Sequence, residues 1–285
     1  MDSSTLLTQS TRALFEPYPK ALGGGERGVH KLRVAVRKLR VALALLAEKP
    51  DGKQRRRADK LLRSIGKAVS ASRDLDVGVA LIDSYPPRRA AEQPEWLELK
   101  RAMLRARTRA RRQSRDRLLD LDVAALRRAL RKLAPGSALD AAEIEARLRA
   151  HAQSEAAELL ERLAAARRRF DAERLHQARR RIRRLRYASE LENTLSGRES
   201  DTMDRWKTLQ SPIGDIHDRH VLAAWLEKRA AWTSRTGRAS AARLATSLRA
   251  RVVRDERRIY RELMGSDPEG QVRALLDSAP PPEGP

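Results

Sequence analysis

The sequence predicts an all-α protein, and three observations carry that reading. Ala, Leu, Arg and Glu dominate its 285 residues while aromatic residues make up only 4%, a balance that favours helix over strand nearly throughout. No segment shows the alternation of a half-buried strand. Proline and glycine recur between long runs of helix formers and divide the chain into about eight to ten candidate helices.

In chain order, Pro17 and Pro19 and then Gly23 to Gly25 close the first segments. A helix carrying HKLRVAVRKLR from His30 follows, bounded by the break at Pro50 to Gly52. Pro86, Pro87 and Pro94 separate the next region from the arginine-rich stretch LKRAMLRARTRARRQSRDRLL at 99–119. Its charges spread over most of the helix circumference, which suits a solvated helix or a peripheral extension of an anion-binding surface. Pro135 and Gly136 mark a mid-chain break, and a second basic helix carries HQARRRIRRLR from His176 up to Gly197. Pro212 is expected to interrupt the following helix, while Gly237 and then Gly265 to Pro268 bound the last one. Residues 266–285, ending DSAPPPEGP, are expected to form a mostly disordered, proline-rich tail.

The two basic helices share a pattern. His30, Arg33, Arg37 and Arg40 stand at offsets of 0, 3, 7 and 10, as do His176, Arg179, Arg183 and Arg186. At about 100° per residue each set occupies roughly an 80° arc of one helix face. In the first copy Leu32, Val36, Leu39 and Leu43 border that arc on one side, and Val34, Val41 and Leu45 border it on the other. A surface helix keeps its charges opposite one apolar face; here the cations line a groove between two packed surfaces. Crowded, partly dehydrated cations need an external anion or internal carboxylates to offset them, and phosphate is the natural candidate.

Composition agrees. Lys and Arg number 61 against 38 Asp and Glu, giving a net charge of +23 and a pI near 11.3. That predicts a polyanionic partner, whether nucleic acid, an acidic membrane surface or a phosphate polymer. With no cysteine the chain has neither disulfides nor thiolate metal sites. No apolar run approaches a membrane span and the start lacks the pattern of a secretion signal, so a cytoplasmic location is expected.

The self-similarity extends past the basic helices. Arg73-Asp74-Leu75-Asp76-Val77 follows His30 at nearly the distance at which His217-Asp218-Arg219-His220-Val221 follows His176. One domain over 1–265, with halves of about 1–138 and 139–265 facing each other across a pseudo-two-fold axis, is the simplest reading. It brings both basic stripes to one shared cavity.

These motifs give the chain a family likeness. HKLRVAVRKLRVAL at 30–43, SRDLDV at 72–77, HQARRRIRRLRYASELE at 176–192 and LQSPIGDIHD at 209–218 resemble the CHAD family of histidine-containing α-helical domains that bind inorganic polyphosphate. The resemblance spans about residues 10–264. It implies two helical-bundle halves related by a pseudo-two-fold axis, with a basic central groove or pore that receives the polymer. Carried over, the phosphate contacts are His30, Arg33, Arg37, Arg40, His176, Arg179, Arg183 and Arg186, with Lys207 beside them. With Asp74 and Asp218 aligned, Arg63 is the first-half counterpart of Lys207, and Lys67 lies one turn on. Where the family commonly has Leu-Gly before Arg-Asp, this chain has Val69-Ser70. Polyphosphate is the implied partner. Polyphosphate or polyhydroxyalkanoate granules are further ones, with localisation on such granules.

Each residue has a plain alternative. Asp74, Asp76 and Asp218 either accept hydrogen bonds from the stripe arginines and hold them in place, or act as helix N-caps. Tyr187 and Glu190 suit packing and an internal ion pair. His151, His217 and His220 read as structural. No cofactor or metal is expected: glycine-rich phosphate cradles, acidic magnesium clusters and nucleophile–base motifs are missing, so the expected role is binding and not catalysis. The dipeptide His217-Asp218 leaves a metal-dependent HD-type phosphohydrolase as the enzymatic alternative. General polyanion or nucleic-acid binding is the nearer one. Ten aromatics offer little base stacking, yet non-specific nucleic-acid association at low salt is expected.

Overall fold

A computed structural model describes residues 3–133, 139–197 and 200–277, and all regular structure among them is helical. Twelve α-helices follow in order. They are α1 (Ser3–Phe15), α2 (Tyr18–Leu22), α3 (Glu26–Leu46), α4 (Lys53–Ala68), α5 (Ser70–Ile82), α6 (Gln93–Leu119), α7 (Val123–Arg131), α8 (Ala141–Arg168), α9 (Ala172–Ser196), α10 (Thr202–Arg235), α11 (Ala239–Gly265) and α12 (Pro268–Asp277). The break expected at Pro135 and Gly136 lies outside the described residues.

The count exceeds the sequence expectation because three breaks use neither proline nor glycine. Val69 closes α4 and opens α5. Asp122 caps α7 by accepting from Ala125 N at 2.7 Å, and Asp171 caps α9 by accepting from Glu173 N and Arg174 N at 2.9 and 3.1 Å. An aspartate that satisfies the free N–H groups of a first turn starts a helix as firmly as a proline ends one.

Two expectations are corrected. Pro212 does not interrupt its helix: α10 runs through it. The missing N–H leaves one carbonyl of the preceding turn unbonded, but Leu209, Ile213 and Ile216 are at most 3% exposed, and their burial outweighs a cost of about 3 kcal/mol. Nor are residues 266–285 all tail. Pro268–Asp277 form α12, because Val272 and Leu275 pack into the core formed by α8, α9 and α10. Residues 278–285 lie outside the described region.

The core has three apolar clusters. The first joins α1 to α4 and α7 with Leu118 of α6, Ile144 and Leu148 of α8, and Tyr187 and Ala188 of α9. The second joins α8, α9, the start of α10, the end of α11 and α12. The third joins the end of α5 and α6 to the later part of α10 and to α11. Helices α3 and α9 therefore lie with apolar flanks committed on both sides: Leu32, Val36, Leu39 and Leu43 with Val41 and Leu45 on α3, and Leu175, Ala178, Ile182 and Leu185 with Tyr187 and Ala188 on α9. The strip left between those flanks carries the cations.

Candidate functional site

Helices α3 and α9 pack together, with α5 beside α3 and α10 beside both α9 and α5. That packing sets four guanidinium groups into one another's fields. Arg33 interacts with Arg37 and Arg179, and Arg183 interacts with Arg37, Arg179 and Arg33. None of the four forms an ion pair with a carboxylate among the described residues. Burial, reinforced by the neighbouring cations, lowers Arg33 to about 10 and Arg183 to about 8, and lowers Arg37 as well. The site is a crowd of positive charge short of counter-charge.

The remaining groups frame it. Arg37 lies beside Tyr187, whose ring is buried, and both line one cavity wall. Arg179 lies over Gly214 of α10, where a Cβ would come within 3.2 Å of Nη2. Its buried Nε has no hydrogen-bond partner among the described residues. Asp74 on α5 faces Arg33, Arg179, Arg37 and Arg73, and Asp218 on α10 faces Arg179 and Arg73. Burial raises both aspartates while the arginines pull them down. Each sits within its helix, so neither they nor Asp76 is an N-cap; Asp76 binds Arg111 at 2.5 Å.

On the far side of Arg37 and Arg183 lies a cavity of about 330 Å³. Arg37, Arg40, Arg55, Arg180, Arg183 and Arg184 line it with His151 and Tyr187, against two carboxylates, Asp59 and Glu155. Both carboxylates are already engaged. Asp59 holds Arg40 at 2.6 Å and Arg63 at 2.6 Å, and Glu155 holds Arg181 at 2.9 Å and Arg184 at 2.7 Å.

The sequence-derived candidates thus separate into groups. Arg33, Arg37, Arg179 and Arg183 converge; Arg40 joins them through the cavity wall. His30 is exposed near the start of α3, within the field of Arg73, Arg37 and Arg33. His176 is half-buried on α9 with Nδ1 3.1 Å from Nδ1 of His217. Arg186 stacks over the neighbouring Tyr187 ring at 5.1 Å, and Arg63 is paired with Asp59. Lys67 and Lys207 are exposed. Sequence reading did not place His217, Arg73, Arg55, His151 or Arg180 at the site. The repeat offered one signal for the first two, since Arg73 and His217 precede the aligned aspartates.

The arrangement suits an anionic ligand. Planar guanidinium forks can each hold two phosphate oxygens. Among the described residues no group of three or more His, Asp or Glu is arranged to hold a metal ion, and His217 of the HD dipeptide contacts His176.

A family model described as CHAD domain matches residues 5–227. The chain belongs to the CHAD family. Its fold is similar to the crystal structure of the CHAD domain from the plant Ricinus communis, with a TM-score of 0.65 and 21% identity over 97% of this chain and 91% of that one. A search of curated proteins finds no match. The family-model match ends within α10, while the structural likeness covers 97% of the chain. Among the described residues no helix is long and apolar enough to cross a membrane.

Proposed function

We propose that this protein binds inorganic polyphosphate without covalent chemistry, as a polyphosphate-binding or granule-targeting module. One observation carries the reading: Arg33, Arg37, Arg179 and Arg183, contributed by the two copies of one motif, crowd together without ion-pairing carboxylates. A chain of phosphates supplies about one negative charge per unit at regular intervals and has no base edges to read. Spaced arginines match it, and Asp74 and Asp218 lie within their field and offset part of the charge. In this reading the two halves lie about a pseudo-two-fold axis. Both stripes line a central groove that leads from His30 and His176, past the four arginines, toward Arg40 and the 330 Å³ cavity. Arg186, Arg63, Lys67 and Lys207 extend the path outward.

Membership in a family associated with polyphosphate supports the ligand, and the repeated motif supports the path. A second, weaker activity has its own observation. Arg101, Arg105, Arg109 and Arg112 form an exposed face of α6 with no ion pair among the described residues, which suits non-specific nucleic-acid association at low salt.

Isothermal titration with a length series tests the reading. Because many weak contacts act in parallel, affinity is expected to climb steeply from pyrophosphate to long chains. Equal affinity for pyrophosphate and long chains refutes it. A second prediction concerns Gly214→Ala. The new methyl displaces the Arg179 guanidinium, a flexible group that yields, and alanine suits a helix better than glycine. The melting temperature should hold or rise while polyphosphate affinity falls several-fold.

A further inference from the structure

Aligning Asp74 with Asp218 sets Arg73 in the place of His217. The structure gives each the corresponding neighbour: Arg73 acts on His30, and His217 touches His176. One stripe is flanked by a permanent cation, the other by a titratable ring.

The His176–His217 contact limits the protons that the pair can hold. With Nδ1 atoms 3.1 Å apart and ring centroids 4.4 Å apart, one Nδ1 carries the hydrogen between them and the other accepts it. Hydrogens on both Nδ1 atoms would point at each other and open the contact. The surroundings are cationic. Arg183, Arg180, Arg179 and Glu173 of α9 act on His176, while Arg179, Arg183 and, from α10, His220 act on His217. From α3 and α5, Arg33, Arg37, Asp74 and Arg73 reach the pair's neighbours Arg179, Arg183 and Asp218. Asp215 of α10 acts on Asp218, while several carboxylates on adjoining helices are engaged elsewhere: Glu256 of α11 with His220, Glu155 and Glu158 of α8 with Arg181, and Glu269 of α12 with Arg167. Burial first, and the cations second, push His217 down to about 3 and lower His176 as well.

Building on the polyphosphate reading, we propose that the His176–His217 pair couples anion binding to proton uptake, so that polyphosphate affinity rises as pH falls. In the empty protein the pair is neutral. A phosphate chain laid along Arg179 and Arg183 brings the missing negative charge and favours imidazolium at both rings, which part and turn their N–H groups to it. The complex then binds more protons than its free components, and by linkage affinity gains about tenfold per pH unit for each proton taken up. The folded pair resists protons that the unfolded chain accepts near the ordinary histidine value of 6.5. Without polyphosphate, therefore, stability falls as pH drops below about 6.5, and saturating polyphosphate opposes that loss.

The test is isothermal titration with long-chain polyphosphate at pH 7.5 and 5.5, each in two buffers of different ionisation heat. Long chains keep the titrating chain ends a minor contribution. The expected result is tighter binding at pH 5.5, with buffer-dependent heats that report net proton uptake. His217→Arg, which copies Arg73, should bind tightly at both pH values with most of the pH dependence gone. His217→Gln should lose the low-pH gain. Equal wild-type affinity at both pH values with buffer-independent heats overturns the proposal, as does a His217→Arg protein that keeps the wild-type pH dependence. Failure of the wild-type protein to bind at either pH overturns the polyphosphate reading and this proposal with it.

Discussion

Replacing Arg37 and Arg183 together by glutamate is expected to abolish polyphosphate binding and to leave the helical content intact. Hydrogen bonds to charged groups are worth about 1.5–3 kcal/mol each, so losing one from each arginine removes about 3–6 kcal/mol. That is a factor of about 10²–10⁴ in affinity, before repulsion from two new carboxylates is added. The helices survive because the packing belongs to their neighbours: Val36, Leu39, Ile182 and Leu185 are at most 3% exposed. Carboxylates placed among Arg33 and Arg179 also relieve the crowding of positive charge, so the empty variant should melt at a higher temperature than the wild type. Circular dichroism checks the fold and titration the loss. Wild-type affinity in the folded variant contradicts the site.

Salt has the second large effect. Phosphate polymers hold condensed counterions that binding releases, and by analogy with nucleic-acid backbones a contact of about six to ten cations loses about 10³–10⁵ in affinity between roughly 50 and 200 mM salt. A plot of log affinity against log salt should be linear and steep. Arg183→Gln should reduce its slope by about one, because one cation leaves the contact. A flat plot would mean that the cations of the stripe do not meet the ligand.

The basic stripes were legible because their information is local. A spacing of 0, 3, 7 and 10 fixes a helix face wherever the helix ends up, and the double apolar border announced that this face lies between two packed surfaces. Leu32, Val36 and Leu39 on one side and Val41 and Leu45 on the other are all buried. What was hidden depended on tertiary packing. His217 meets His176 across 41 residues, and nothing local to either histidine marks that contact. Asp59 draws Arg40 and Arg63 to one carboxylate, whereas the family resemblance implies separate phosphate contacts for them.

Helix boundaries failed for a different reason. Proline and glycine read as breakers in the sequence, yet Pro212 is held within α10 by the burial of Ile213 and Ile216, while Asp122 and Asp171 start helices through capping bonds. Those caps stood in the sequence as Asp followed by apolar or helix-forming runs and could have been read. The α12 helix could be suspected only from Val272 and Leu275, whose partners lie on distant helices.

The most direct test of the central claim is a competition at near-physiological salt. Long-chain polyphosphate is titrated into the protein in the presence of excess duplex DNA and single-stranded RNA of equal charge. Polyphosphate is predicted to win clearly, with an advantage that grows with chain length. Equal competition by the nucleic acids would contradict a dedicated polyphosphate site and leave a general polyanion binder.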